Sequence, residues 1–142
     1  MTNGYLKALE DQVCAWPGVS AGPHRFGGRG FRLGKIEVGH IHNDGAVEVP
    51  FPRSFRDQLL KEGLAEKHRF VPDSGWVTFY VRKEGDIQHA AWLLRLSYLR
   101  FALKAVPDPG KRFEQESERL RLTPQFRALL ARFVPGRKSV AA

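Results

Sequence analysis

The sequence predicts an α+β domain: a mainly antiparallel sheet of four to five strands, an N-terminal helix and a long helix packed on it, and a C-terminal helical extension. Three observations predict it. Apolar residues recur at helical spacing near both ends of the chain and again from residue 87 onward. Between residues 24 and 81 the pattern changes to short extended runs punctuated by Gly, Pro, Asn and Asp. Two of those runs are joined to a neighbour through turn residues, as antiparallel hairpins require.

The first helix is carried by Leu6, Leu9, Val13 and Trp16, and Pro17-Gly18 stops it. From His24 to Phe51 the chain reads as sheet, broken by Gly27-Gly28-Arg29-Gly30, Gly34 and Asn43-Asp44-Gly45. The last of these should turn a hairpin between KIEVGHIH and AVEVPF, with Gly45 supplying a positive φ. Ser54-Phe55-Arg56-Asp57 resembles a capping box with Asp in place of Glu, and Phe55, Leu59 and Leu60 then give a short helix ended by Gly63. A second hairpin pairs AEKHRFV with WVTFYVR across Pro72-Asp73-Ser74-Gly75.

Asp86 suits the N-cap of the longest helix, in which Ile87, Ala90, Leu94, Tyr98 and Phe101 form one apolar stripe. Trp92, Leu96, Leu99 and Leu103 form another, which needs its own cover, either from the C-terminal segment or from a second copy of the chain. Val106 to Gly110 reads as a linker and residues 111–122 as a charged helix. Thr123-Pro124 opens a final helix bearing Phe126, Leu129, Leu130 and Phe133, and GRKSVAA reads as a loose tail. The division expected is a core over residues 1–105 and a basic helical extension over 106–142 that packs on it.

The 142 residues suffice for one domain without disulfides, and the lone Cys14 excludes a disulfide framework or a thiolate zinc cluster. No export signal and no apolar run of membrane-spanning length is visible, so a cytoplasmic protein without a membrane partner is expected. The net charge of +8 is unevenly placed. Residues 1–94 hold 12 Lys and Arg against 11 Asp and Glu, a net of +1, and residues 95–142 hold 11 against 4, a net of +7. A basic end can meet nucleic acid or another anionic partner, or simply form a solvated, salt-bridged helical face. Arg119, Arg121, Arg127, Arg132, Arg137 and Lys138 carry it, with Glu114, Glu116 and Glu118 close in sequence.

Pro17-Gly18-Val19, His24-Arg25-Phe26-Gly27, Glu37-Val38-Gly39-His40-Ile41-His42, Pro72-Asp73-Ser74-Gly75-Trp76-Val77 and Leu96-Ser97-Tyr98 together resemble the luciferase-domain family. This is a set of bacterial and fungal proteins whose label does not imply light emission. The resemblance runs over roughly residues 9–103, is most specific at Glu37 to His42, and implies no catalytic residues. The order of elements also looks like that of the MmcQ/YjbR-like double-wing proteins. That second likeness is one of topology, and topology assigns no function.

The candidate site is the group Glu37, His40, His42 and Asp44. His-x-His on a strand puts both rings on one face about 7 Å apart at Cα, a spacing that suits a shared zinc or non-haem iron ion, with His68, Glu48 or His24 as further ligands. A three-residue Asn43-Asp44-Gly45 loop sets His40 opposite Glu48; a two-residue turn sets it opposite Val49, among apolar neighbours, as a hydrogen-bonded core residue. The alternative to a site is that both histidines are structural, half-buried in the strand with ring nitrogens bonded to backbone or to Glu37. Glu37, three residues from His40, should point to the other face. His40 with Glu48 could form an oriented catalytic base. Asp73-Ser74-Gly75 reads as turn chemistry, and the glycines at 28, 30 and 34 have neither a phosphate-loop nor a dinucleotide spacing. Trp76 and Tyr80, with Arg25, Arg29, Arg32 and Lys35, could stack and pair with single-stranded nucleic acid, but are expected to lie beneath the long helix as core.

Three functions follow in order: a module binding a small molecule or protein through His40, His42, His68, Glu37 and Trp76; a His-based, metal-dependent enzyme on the His40/His42 face; and a nucleic-acid-binding module. No organic cofactor is identified by any motif, and the chain is expected to be a monomer or homodimer.

Overall fold

The computed structural model describes residues 3–136. The tail from Arg137, including Lys138, lies outside the described residues. The chain divides into two compact units, Met1–Ser97 and Tyr98–Ala142, with the boundary inside the long helix α3 (Asp86–Ala102).

In the first unit α1 (Asn3–Cys14) is followed by β1 (Val19–Pro23), a 3-10 turn (Arg25–Gly27), β2 (Arg29–Leu33), β3 (Ile36–Ile41) and β4 (Ala46–Pro50). Then come α2 (Arg53–Lys61), β5 (Glu66–Lys67), β6 (Trp76–Tyr80) and α3. The sheet has six strands in the order β1-β2-β3-β4-β6-β5, with every pairing antiparallel. The expected α+β class stands, with one strand more than expected. The extra strand is β1, which precedes the stretch read as sheet from His24 and holds the poor strand formers Gly22 and Pro23. Proline is tolerated there because β1 is at the sheet edge.

Strand alternation divides the sheet into two faces. Phe31, Ile41, Val47, Val49 and Val77 are buried on one of them, where α3 lies. The helix comes so close at Gly39 that a Cβ there would stand 2.6 Å from Leu94 Cδ2. Leu93 and Leu94 are fully buried, as are Leu9 and Val13 of α1, which packs against β1 and β2. A side chain such as Leu94 contributes roughly 1.5–3 kcal/mol by leaving water, and this apolar layer makes the sheet rigid enough to hold polar groups on its opposite face.

Three local expectations are corrected. The capping box at Ser54 does not form, because α2 starts one residue after Pro52, which occupies the cap position without a side-chain bond. Proline's fixed φ sets the helix entry there, and the Asp57 carboxylate accepts from Arg56 Nη1 at 2.7 Å instead. Asp86 is the first residue of α3, and its carboxylate accepts the N–H groups of Arg82 at 2.9 Å and Lys83 at 3.2 Å, closing the preceding turn. Trp76 and Tyr80 are not beneath the long helix. They alternate with Val77 and Phe79, and it is Phe79 that meets α3, its ring 4.6 Å from that of His89.

In the second unit α3 ends and α4 (Pro109–Arg119) and α5 (Pro124–Ala131) follow. Asp108 caps α4 by accepting from Lys111 N at 3.3 Å, and Thr123 caps α5 by accepting from Phe126 N at 3.4 Å, with proline first in both helices. Leu99, Leu103, Phe113, Phe126 and Leu130 are buried. Arg127 of α5 bonds both oxygens of Glu114 of α4, at 2.9 and 2.6 Å, a pair between two helices and not one at three or four residues within a helix. Among the described residues no helix is long and apolar enough to cross a membrane.

Candidate functional site

The β3–β4 hairpin decides the site. His42 N donates to Ala46 O at 2.9 Å, and His40 lies opposite Glu48, which is the three-residue register. Gly45 has φ 93°, and its carbonyl accepts from Val81 N at 2.9 Å, so the loop needs glycine for its backbone and locks onto the end of β6. With this register a carboxylate faces an imidazole across the ladder.

Glu48 is 1% exposed and gathers the site around itself. His40 Nε2 lies 3.1 Å and His42 Nε2 2.6 Å from its Oε1. Its Oε2 meets Thr78 Oγ1 at 3.0 Å, His68 Nε2 at 2.9 Å and Arg69 Nε at 3.5 Å. Burial pushes the Glu48 carboxyl up, but its close contacts with the His40 and His42 rings, the field of His68 and the Thr78 hydroxyl more than reverse this, and it sits below the ordinary carboxylate range.

His68 leaves the β5–β6 ladder to reach Glu48, which is why β5 is two residues long and the second hairpin has a wider loop than expected. Its Nδ1 accepts the backbone N–H groups of Phe70 at 3.1 Å and Val71 at 3.2 Å. A nitrogen accepting two N–H bonds carries no proton, so the ring is the neutral Nε2–H tautomer and donates to Glu48. Burial lowers the His68 pKa against the opposing pull of Glu48.

Glu37 corrects the parity argument. Phe31 pairs with Gly39 but Arg32 with Glu37, so β3 carries one extra residue, a bulge at Val38. The bulge turns Glu37 onto the same face as His40, and its Oε2 lies 2.8 Å from His40 Nδ1. That hydrogen bond is the main reason the Glu37 carboxyl falls below its ordinary range. Ser97 of α3 donates to the Val38 carbonyl at 2.7 Å from the far side of the sheet, fixing the bulge. With both ring nitrogens facing carboxylates, His40 has none left for a substrate proton.

His24, at the start of the 3-10 turn, stacks on His40 with ring centroids 3.9 Å apart. Burial, and then repulsion by His40, lower its pKa. One ring nitrogen from each of His24, His40 and His42 lies within 4.8 Å of the others. Trp76 packs beside the histidines, its ring 5.2 Å from that of His40 and 5.9 Å from that of His68. Asp44 holds Arg69 at 2.7 Å over the hairpin loop.

These groups border a cavity of about 580 Å³ lined by His24, Arg25, His40, His42, Arg69 and Phe70 among others. Four of the five histidines of the chain line it. Phe70, on its rim, is 73% exposed. The structure thus brings together Glu37, His40, His42, Glu48, His68 and Trp76, with His24 and Asp44 beside them. Sequence reasoning missed Thr78, Arg69, Phe70 and Ser97. Thr78 was accessible in principle, since it lies opposite Glu48 across β4 and β6.

No curated protein and no solved structure matches the chain significantly. The likeness to MmcQ/YjbR-like proteins is not shown by these comparisons. A family model described as Luciferase domain matches residues 35–97. That stretch holds the hairpin, Glu48, His68 and Trp76, and over it the chain is shown to be similar to the luciferase-domain family.

Proposed function

We propose that the first unit is a binding module for a small organic molecule with one anionic group, seated in the His-lined cavity. The observation that carries this reading is the cavity's make-up. Its volume lies within the roughly 300–1,000 Å³ usual for small-molecule pockets, and its floor is a rigid polar network on the polar face of a well-packed sheet. Arg25, exposed and lining the cavity, is the cation offered to an anion. Phe70, exposed on the rim, supplies an apolar surface for the rest of the molecule.

Ligand-observed NMR against a set of small aromatic and aliphatic carboxylates and phosphates tests the reading. Saturable binding that weakens in Arg25→Ala and in Phe70→Ala is expected. Both side chains are exposed, so neither change should unfold the domain. Binding that is indifferent to both substitutions, or absent across both ligand classes, contradicts the reading.

A further inference from the structure

The two oxygens of Glu48 have different surroundings. Oε2 is filled: it accepts from the Thr78 hydroxyl and from His68, whose proton is fixed on Nε2 by the two backbone N–H groups at Nδ1. His68 is thereby a proton donor to Glu48 and is removed from any set of metal ligands. Oε1 faces only the Nε2 atoms of His40 and His42, at 3.1 and 2.6 Å.

His40 makes that face peculiar. Its Nδ1 lies 2.8 Å from Glu37, and a carboxylate accepts but does not donate, so the neutral ring carries its proton on Nδ1. The lone pair of Nε2 then points at Glu48 Oε1, and two acceptors 3.1 Å apart repel unless positive charge lies between them. A second proton on the ring would answer this one contact. A divalent ion would answer it for His40, His42 and Glu48 together.

The spacing agrees at His40. Ligands about 2.0–2.1 Å from a tetrahedral zinc are roughly 3.3 Å from one another; His40 Nε2, 3.1 Å from Oε1, is near this, and His42 Nε2, at the 2.6 Å of a hydrogen bond, would have to move outward to admit an ion. Glu37, 2.8 Å from the outer nitrogen of His40, is placed to orient a metal-bound imidazole and strengthen it as a ligand. One ring nitrogen from each of His24, His40 and His42 lies within 4.8 Å of the others, with the His24 ring stacked on His40.

We propose that His40 Nε2, His42 Nε2, Glu48 Oε1 and a ring nitrogen of His24 form a binding site for one divalent first-row transition ion, with Glu37 as positioning residue. Imidazole with a single carboxylate suits zinc or iron over magnesium or calcium. Four protein ligands would complete a tetrahedral zinc shell, whereas iron, with its higher coordination number, would keep room for a further ligand. The site goes beyond the small-molecule reading and does not depend on it, since these side chains alone make it.

The test uses untagged full-length protein stripped with chelator and titrated with Zn²⁺ by calorimetry and with Co²⁺ by visible absorption. One equivalent of ion per chain is expected, with Co²⁺ giving the intense ligand-field bands of a low-symmetry nitrogen and oxygen site. His42→Ala should abolish the bands, and Glu37→Gln should weaken binding by about 10- to 100-fold. His89→Ala, on the other face of the sheet, should change nothing. Where His42→Ala fails to fold, His24→Ala in the surface turn serves instead and should weaken binding and alter the Co²⁺ spectrum. No saturable binding by folded wild-type protein, or binding unaltered in His24→Ala and Glu37→Gln, overturns the proposal. The ligand screen is run on metal-free protein as well, so a missing organic ligand and a missing ion are separate results.

Discussion

His40 and Glu48 stand directly opposite each other in the β3–β4 ladder, with His40 Nε2 3.1 Å from Glu48 Oε1. Everything at the site is arranged around that pair: His42 and His68 from the strand ends, Thr78 from β6, and Glu37 behind His40. Glu48→Ala leaves His68 and Thr78 without their acceptor in a buried setting. It should lower the unfolding free energy by about 3–5 kcal/mol, the usual cost of breaking a buried charged network. Urea denaturation measures it, and a loss below about 1 kcal/mol would show that the network is not buried as described.

Ser97 lies across the sheet from the site yet holds the Val38 carbonyl at 2.7 Å. Ser97→Ala should cost about 1–3 kcal/mol by depriving a buried carbonyl of its donor. Because that carbonyl belongs to the bulge that aims Glu37, the imidazole resonances of His40 should shift as well. A stability loss with His40 unmoved would separate the bulge from the site.

Gly45→Ala places a side chain at φ 93° and a Cβ 2.6 Å from the Val81 carbonyl. The expected loss exceeds about 1 kcal/mol, since a residue incompatible with its native backbone costs more than the chain entropy it saves. Thermal unfolding measures this. His42 should lose chemical-shift definition in the same variant, as it is the residue from which the loop departs.

Acidification of metal-free protein should destabilise the fold. The pKa values of His24, His68, Glu37 and Glu48 are all lowered in the folded state, so the unfolded chain binds more protons and stability falls with pH. The histidine contribution is complete above the unperturbed value of about 6.5 and is lost as pH falls through the lower folded values. The carboxylate contribution starts to go below about 4.3. Unfolding free energies across this range, in wild type and in His68→Asn, should show a shallower histidine-range slope in the variant. Stability that rises on acidification contradicts the assignments.

Much of this site is legible in the chain. His-x-His fixes two rings on one face, and Asn43-Asp44-Gly45 contains the turn that places Glu48 across from them, although two registers satisfy the same residues and only the ladder to β6 selects one. The long helix and its apolar stripe are equally plain. Glu37 is misread because a bulge reverses strand parity, and the bulge rests on a hydroxyl 59 positions away in Ser97. Trp76 is assigned to the wrong face because Trp and Phe suit a helix-covered surface equally well, and only pairing with β4 settles which alternate residues turn toward α3. His68 is the least legible. It lies at the end of a two-residue strand, and its role depends on a loop whose backbone N–H groups fix its tautomer.

The central claim is that Glu48 gathers His40, His42 and His68 into one site, with His24 stacked on His40, in which His68 is a fixed donor and the other three rings can share one metal ion. Long-range ¹H–¹⁵N correlation of the imidazole nitrogens, recorded on chelated protein and again after one equivalent of Zn²⁺, tests it directly. The account predicts His68 as the neutral Nε2–H tautomer in both spectra, with nitrogen shifts at His24, His40 and His42 when zinc is added. A protonated Nδ1 on His68, or zinc-induced shifts that miss those three rings, would contradict it.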